Sequence, residues 1–82
     1  MPRYFFHTFY KAPVRDEVGI VLTDTQTAWD QATQTAGHIL RDMNGTLLPD
    51  KVWRMEVTDD KGKRLFALSF STSVFEDWRP AG

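Results

Sequence analysis

Residues 3–10, Arg-Tyr-Phe-Phe-His-Thr-Phe-Tyr, put large rings on both faces of an extended strand. Side chains alternate along a strand, so Tyr4, Phe6 and Tyr10 fall on one side and Phe5, His7 and Phe9 on the other. A strand that is apolar on both faces belongs inside a sheet and needs cover twice. The segment Lys63–Phe70 repeats the pattern, with Leu65 and Ala67 on one face and Phe66, Leu68 and Phe70 on the other. Any fold open to this chain must therefore build a sheet and then cover two apolar faces.

One segment is an evident cover. Ala28, Trp29, Ala32, Ala36, Ile39, Leu40 and Met43 recur at three- and four-residue steps, the stripe of an amphipathic helix. Its alanines allow close approach to a sheet. Thr23 or Asp24 supplies the N-cap, with Thr23 and Gln26 spaced as a capping box, and Asn44-Gly45 is the stop signal. Before the helix, Lys11–Glu17 holds Pro13 and an acidic pair and reads as a connection; Val18–Thr23 reads as a second strand. After it, 46–51 is a loop, and Val52–Thr58 alternates with Trp53, Met55 and Val57 inward. Asp59-Asp60-Lys61-Gly62 is a turn with glycine placed for positive φ. The order β-β-α-β-β gives an α+β class: a four-stranded antiparallel sheet with one helix packed on one face. Residues 1–70 form this single domain, and 71–82 a C-terminal tail, a short helix or arm that aligns Val74, Phe75 and Trp78.

With 82 residues there is one core. Ten basic against eleven acidic residues leave a net charge of −1, so no global field attracts nucleic acid or an anionic membrane. No apolar run reaches the length of a membrane span, and the start of the chain lacks a cleavable apolar leader. Cysteine is absent, which removes disulfides and thiolate chemistry and makes the cytoplasm the expected location.

Chemistry-bearing clusters are sparse. His7 and His38 are the two histidines; His38 and Asp42 stand one helical turn apart, without the spacing of a metal site. Ser69, Ser71, Thr72 and Ser73 lack the glycine-flanked elbow of an activated serine. Asp16-Glu17 and Asp59-Asp60 lie in turns, where carboxylates satisfy backbone N–H groups. The five glycines are scattered, so no phosphate loop exists. The reading assigns no catalytic residue, no metal and no cofactor.

A small nucleic-acid-binding or antitoxin-like regulator is the alternative. It would use Phe5 and Phe9 to stack bases, with Arg3, Arg54 and Arg64 as phosphate contacts. The RNA-recognition strand motif is missing and the acidic turns repel phosphate, so nucleic acid is the weaker expectation. The stronger one follows from the second sheet face. One helix covers one face; the Phe5 row, which includes Arg3 and His7, is assigned to the other. Phe5, Phe9, Phe75 and Trp78 are then the candidate interaction surface. The tail folds over it, or a second copy packs on it to make a homodimer.

The opening Met-Pro-Arg-Tyr-Phe-Phe-His, the Asp16-Glu17-Val18-Gly19 loop, Leu22-Thr23-Asp24, and the run from Trp53 to Asp59 leading through Gly62 to Leu68-Ser69-Phe70 form a recognisable set. Together they resemble a family of short proteobacterial proteins of unknown function, family 6894 of that series. The resemblance covers about residues 1–70 and implies the element order but no activity, cofactor or catalytic residue. In pattern alone, the strand–strand–helix opening is similar to that of HicB-type antitoxins. The expected function is that of a non-enzymatic protein-interaction or self-associating module.

Overall fold

The computed structural model describes residues 1–43, 52–73 and 75. Strand β1 (Arg3–Tyr10) is central, as its two apolar faces require. It pairs antiparallel with β4 (Val52–Thr58), and β4 pairs antiparallel with β5 (Arg64–Ser71). The other margin of β1 is shared by two short strands. β2 (Ala12–Val14) lies against Thr8–Tyr10, and β3 (Ile20–Val21) against Arg3–Tyr4. The sheet order is β2-β1-β4-β5, with β3 beside β1 below β2.

Helix α1 (Thr25–Met43) connects β3 to β4. Both strands run antiparallel to β1 and flank it, so they are parallel to each other, and such a pair needs a long crossover. Asp24 caps the helix. Its Oδ1 accepts the backbone N–H of Thr27 and the Thr27 hydroxyl, both at 2.8 Å, and its C=O accepts the Ala28 N–H at 3.1 Å. Those two Thr27 bonds, the backbone one first, hold the Asp24 carboxyl below the usual range. The capping-box pairing of Thr23 with Gln26 does not form; Gln26 instead donates to Asp30.

The core lies between α1 and one sheet face. Ala28, Ala32 and Ala36 are fully buried against Tyr4, Trp53, Met55 and Val57. Three small residues at four-residue steps bring the helix axis close to the sheet. Phe6, Leu68 and Phe70 pack at the margin, with Trp53 stacked on Phe70 at 5.2 Å and Trp29 edge-on to Phe66 at 5.1 Å. Trp29 and Leu40 sit on the rim of the stripe and stay exposed. The Tyr4–Phe6 row thus faces the helix, as expected.

Two sequence readings need correction. The segment read as a plain connection contains β2. Lys11 takes φ 66°, reversing the chain within one residue, and Pro13 is accommodated because β2 is an edge strand. The second strand is then two residues rather than Val18–Thr23. In β5 the alternation is interrupted by a bulge: Thr58 pairs with Arg64 and Val57 with Phe66, so Leu65 is the extra residue and packs against the core. The turn before it follows the sequence reading. Gly62 has φ 79° and its N–H bonds to the Asp59 C=O. Of the tail, Ser71 ends β5 and Phe75 is 78% exposed. The remainder of the expected tail helix, with Val74 and Trp78, lies outside the described residues, as do the Asn44-Gly45 stop and the loop 46–51.

Candidate functional site

The sheet face away from α1 follows from the register, because paired residues share a face. β1 contributes Phe5, His7 and Phe9, opposite Thr58, Glu56 and Arg54 of β4. Phe9 also faces Pro13 on its other side. The centre of this face is charged. Glu56 Oε2 lies 2.9 Å from Arg54 Nε and 3.9 Å from Arg64 Nη1. Both arginines are more exposed than the glutamate, so this small network is worth a fraction of a kcal/mol to about 1 kcal/mol.

His7 is held at both ring nitrogens. The backbone N–H of Asp16 donates to Nδ1 at 3.0 Å, and Nε2 lies 3.1 Å from the Thr58 hydroxyl. A backbone N–H can only donate, so Nδ1 is the acceptor and the proton sits on Nε2, donating to Thr58 Oγ1. Thr58 is buried, with 7% of its surface exposed, and its hydroxyl gains its partner there.

Asp16 completes the clamp. Its Oδ2 accepts the Phe6 N–H at 3.1 Å, and Oδ1 accepts the N–H groups of Val18 and Gly19, each at 3.0 Å. β2 ends at Val14 and β3 begins at Ile20, so this carboxylate takes the ladder position that neither strand fills on β1. Partial burial is the largest single influence on its pKa and pushes it up. The N–H groups of Gly19, Phe6 and Val18 together outweigh burial and hold the carboxyl below its usual value. Gly19 lies flat on β1 with φ 73°. A Cβ there would stand 2.8 Å from the Tyr4 carbonyl oxygen and 2.9 Å from the Phe5 ring.

Around this clamp lie two adjoining hollows of about 520 and 480 Å³ that share His7, Arg15, Thr58 and Gly62. The first adds Phe9, Pro13 and Arg64 and is the more apolar; the second is rimmed by Glu17, Asp59 and Asp60. Asp59 Oδ1 is engaged by the N–H groups of Lys63 and Lys61, at 2.9 Å each, which hold its carboxyl below the usual range. The imidazole of the groove has no free nitrogen, and two of its carboxylates bind backbone. Among the described residues no three His, Asp or Glu side chains converge as a metal site, and no helix is long and apolar enough to cross a membrane.

The candidate residues fall as follows. Phe5 and Phe9 are on the outer face, as expected, but half-buried rather than open to water. The expected apolar patch is reduced by the 11–19 segment, whose Gly19 backbone lies on Phe5 and whose Pro13 flanks Phe9. Phe75 is exposed, and Trp78 lies outside the described residues. Of the arginines read as phosphate contacts, Arg3 donates to the Val18 C=O at 2.9 Å, and Arg54 and Arg64 turn to Glu56. His38 meets Arg41 at 3.3 Å. Sequence reasoning placed Asp16 in a turn that binds backbone N–H groups, which is what it does. Its reach to Phe6 and His7 has no signature in the sequence.

No curated protein and no solved structure gives a significant match to this chain. A family match spans residues 3–71, from the first residue of β1 to the last of β5, and takes in the Asp16–Gly19 clamp. The chain belongs to the family described as Domain of unknown function (DUF6894).

Proposed function

We propose that this domain is a non-enzymatic protein-interaction module of the bacterial cytoplasm that associates with a second copy of itself. The observation that carries the reading is the open sheet. Among the described residues a single helix covers one face, the 11–19 segment covers only the Phe5 and Phe9 part of the other, and the margin of β5 has no covering element. Exposed Val52, paired with Ser71 of β5, and exposed Phe75 beyond the end of β5 add apolar surface that a partner would bury. A non-catalytic role is supported by the engagement of both His7 nitrogens and of the Asp16 and Asp59 carboxylates in holding backbone and Thr58. Nucleic-acid binding is disfavoured by the pairing of Arg54 and Arg64 with Glu56 and by the acidic rim of the groove.

Light scattering across a range of protein concentrations tests this directly, with single-stranded RNA titrated at low salt in parallel. A concentration-dependent dimer with no RNA binding is expected. A monomer at every concentration refutes self-association. Salt-sensitive RNA binding that falls on replacing Arg54 or Arg64 would transfer the function to the regulator class.

A further inference from the structure

The two margins of the sheet are built differently. On one side β2 and β3 have three and two residues, Pro13 lies within β2, and the Asp16 carboxylate occupies the gap between them. Short strands, proline and an interposed charge all discourage edge pairing. On the other side β5 runs for eight residues, Arg-Leu-Phe-Ala-Leu-Ser-Phe-Ser, with no proline or glycine and a single charge at its first position. Among the described residues it pairs with β4 alone. Among the described residues, the fold guards one margin and leaves the other ready to pair.

We propose that β5 pairs antiparallel with β5 of a second copy, about a two-fold axis at Leu68, joining the two sheets into one. This rests on the self-association reading and names its interface. A two-fold contact must be self-complementary, and strand faces must match across it. Centred on Leu68, the register sets Leu68 against its own copy and Phe66 against Phe70 on the helix-covered face. Ala67 meets Ser69 on the outer face. The bulge at Leu65 ends the regular pairing before Arg64, so no like charges meet. The neighbouring registers that preserve the faces are poorer. Centring on Ala67 leaves Phe70 without an apolar partner, because the bulge at Leu65 interrupts the strand opposite it, and centring on Ser69 puts Phe66 opposite Thr72.

The chain has no cysteine, so introduced thiols report cleanly. Ala67 and Ser69 are exposed, and replacing them leaves the core untouched. Directly opposed residues lie about 4.5–5.5 Å apart, within disulfide reach, whereas diagonal ones lie about 7–8 Å apart and beyond it. The double variant A67C/S69C is therefore expected to become a covalent dimer on oxidation, while A67C and S69C alone remain separable. Cross-linking of either single variant to the same extent as the double one overturns the register. A dimer by light scattering that none of the three variants traps overturns the β5 interface and leaves self-association standing. A monomer at every concentration overturns both.

Discussion

Adding one methyl group at each of three glycines separates three physical effects. Gly19 has φ 73°, where an L side chain costs about 1–2 kcal/mol. Its added Cβ also meets the Tyr4 carbonyl oxygen at 2.8 Å, the Phe5 ring at 2.9 Å and Arg3 Cγ at 3.0 Å. Because the nearest atom is backbone of the central strand, it cannot swing aside, and overpacking of this kind adds about 1–3 kcal/mol. Gly19→Ala is thus expected to cost roughly 2–5 kcal/mol. A domain of this length has a total stability of roughly 4–12 kcal/mol, so much of the fold's margin goes. At about 4–8 °C per kcal/mol, the melting temperature falls by roughly 8–40 °C. Gly62 has φ 79° but open space around it, so Gly62→Ala costs the strain alone, about 1–2 kcal/mol. Gly37 is within α1 with nothing near, so Gly37→Ala stabilises by about 0.5–1 kcal/mol. Urea unfolding followed by tryptophan fluorescence measures all three. If Gly19→Ala is no worse than Gly62→Ala, the 15–19 segment does not lie on β1 and the clamp is refuted.

Asp16→Asn retains one acceptor and is expected to cost about 1 kcal/mol at neutral pH. The folded-state carboxyl is held below its unfolded value, so its contribution is complete above the unfolded pKa of about 3.9 and is lost as pH falls through the folded one. Stability measured against pH should therefore fall more steeply below about pH 4 in the wild type than in the variant; parallel curves would exclude the carboxylate as a clamp. Long-range proton–nitrogen NMR spectra should show neutral His7 as the Nε2–H tautomer, and a proton on Nδ1 would contradict the bond from Asp16. Ala32→Leu forces a larger side chain between helix and sheet and should cost about 1–3 kcal/mol or more by thermal melting; an unchanged melting point would mean that α1 does not lie close.

The sequence is most legible where the pattern is local. The alanine stripe of α1 and the alternation of Val52–Thr58 each repeat within one element, and both elements form where periodicity puts them. Gly62 is legible because the turn needs positive φ at that place. β2 is hidden because Pro13 breaks strands in most settings and is acceptable only at an edge, and because nothing in Lys11 signals the positive φ at which the chain reverses. The clamp is hidden because it joins Asp16 to residues nine and ten positions away, Phe6 and His7, a separation that no helical or strand period reports. The exposure of Phe5 and Phe9 was overestimated for the same reason: their cover comes from a segment with no periodicity of its own. The Leu65 bulge likewise depends on how β5 sits on Thr58.

Hydrogen–deuterium exchange of β5, read residue by residue at low and high protein concentration, tests the self-association claim most directly. The amides of Leu65–Phe70 that point away from β4 should exchange quickly in dilute protein and slow as concentration rises, while those of the Asp59–Gly62 turn stay unchanged. Exchange of β5 that is independent of concentration would contradict the account.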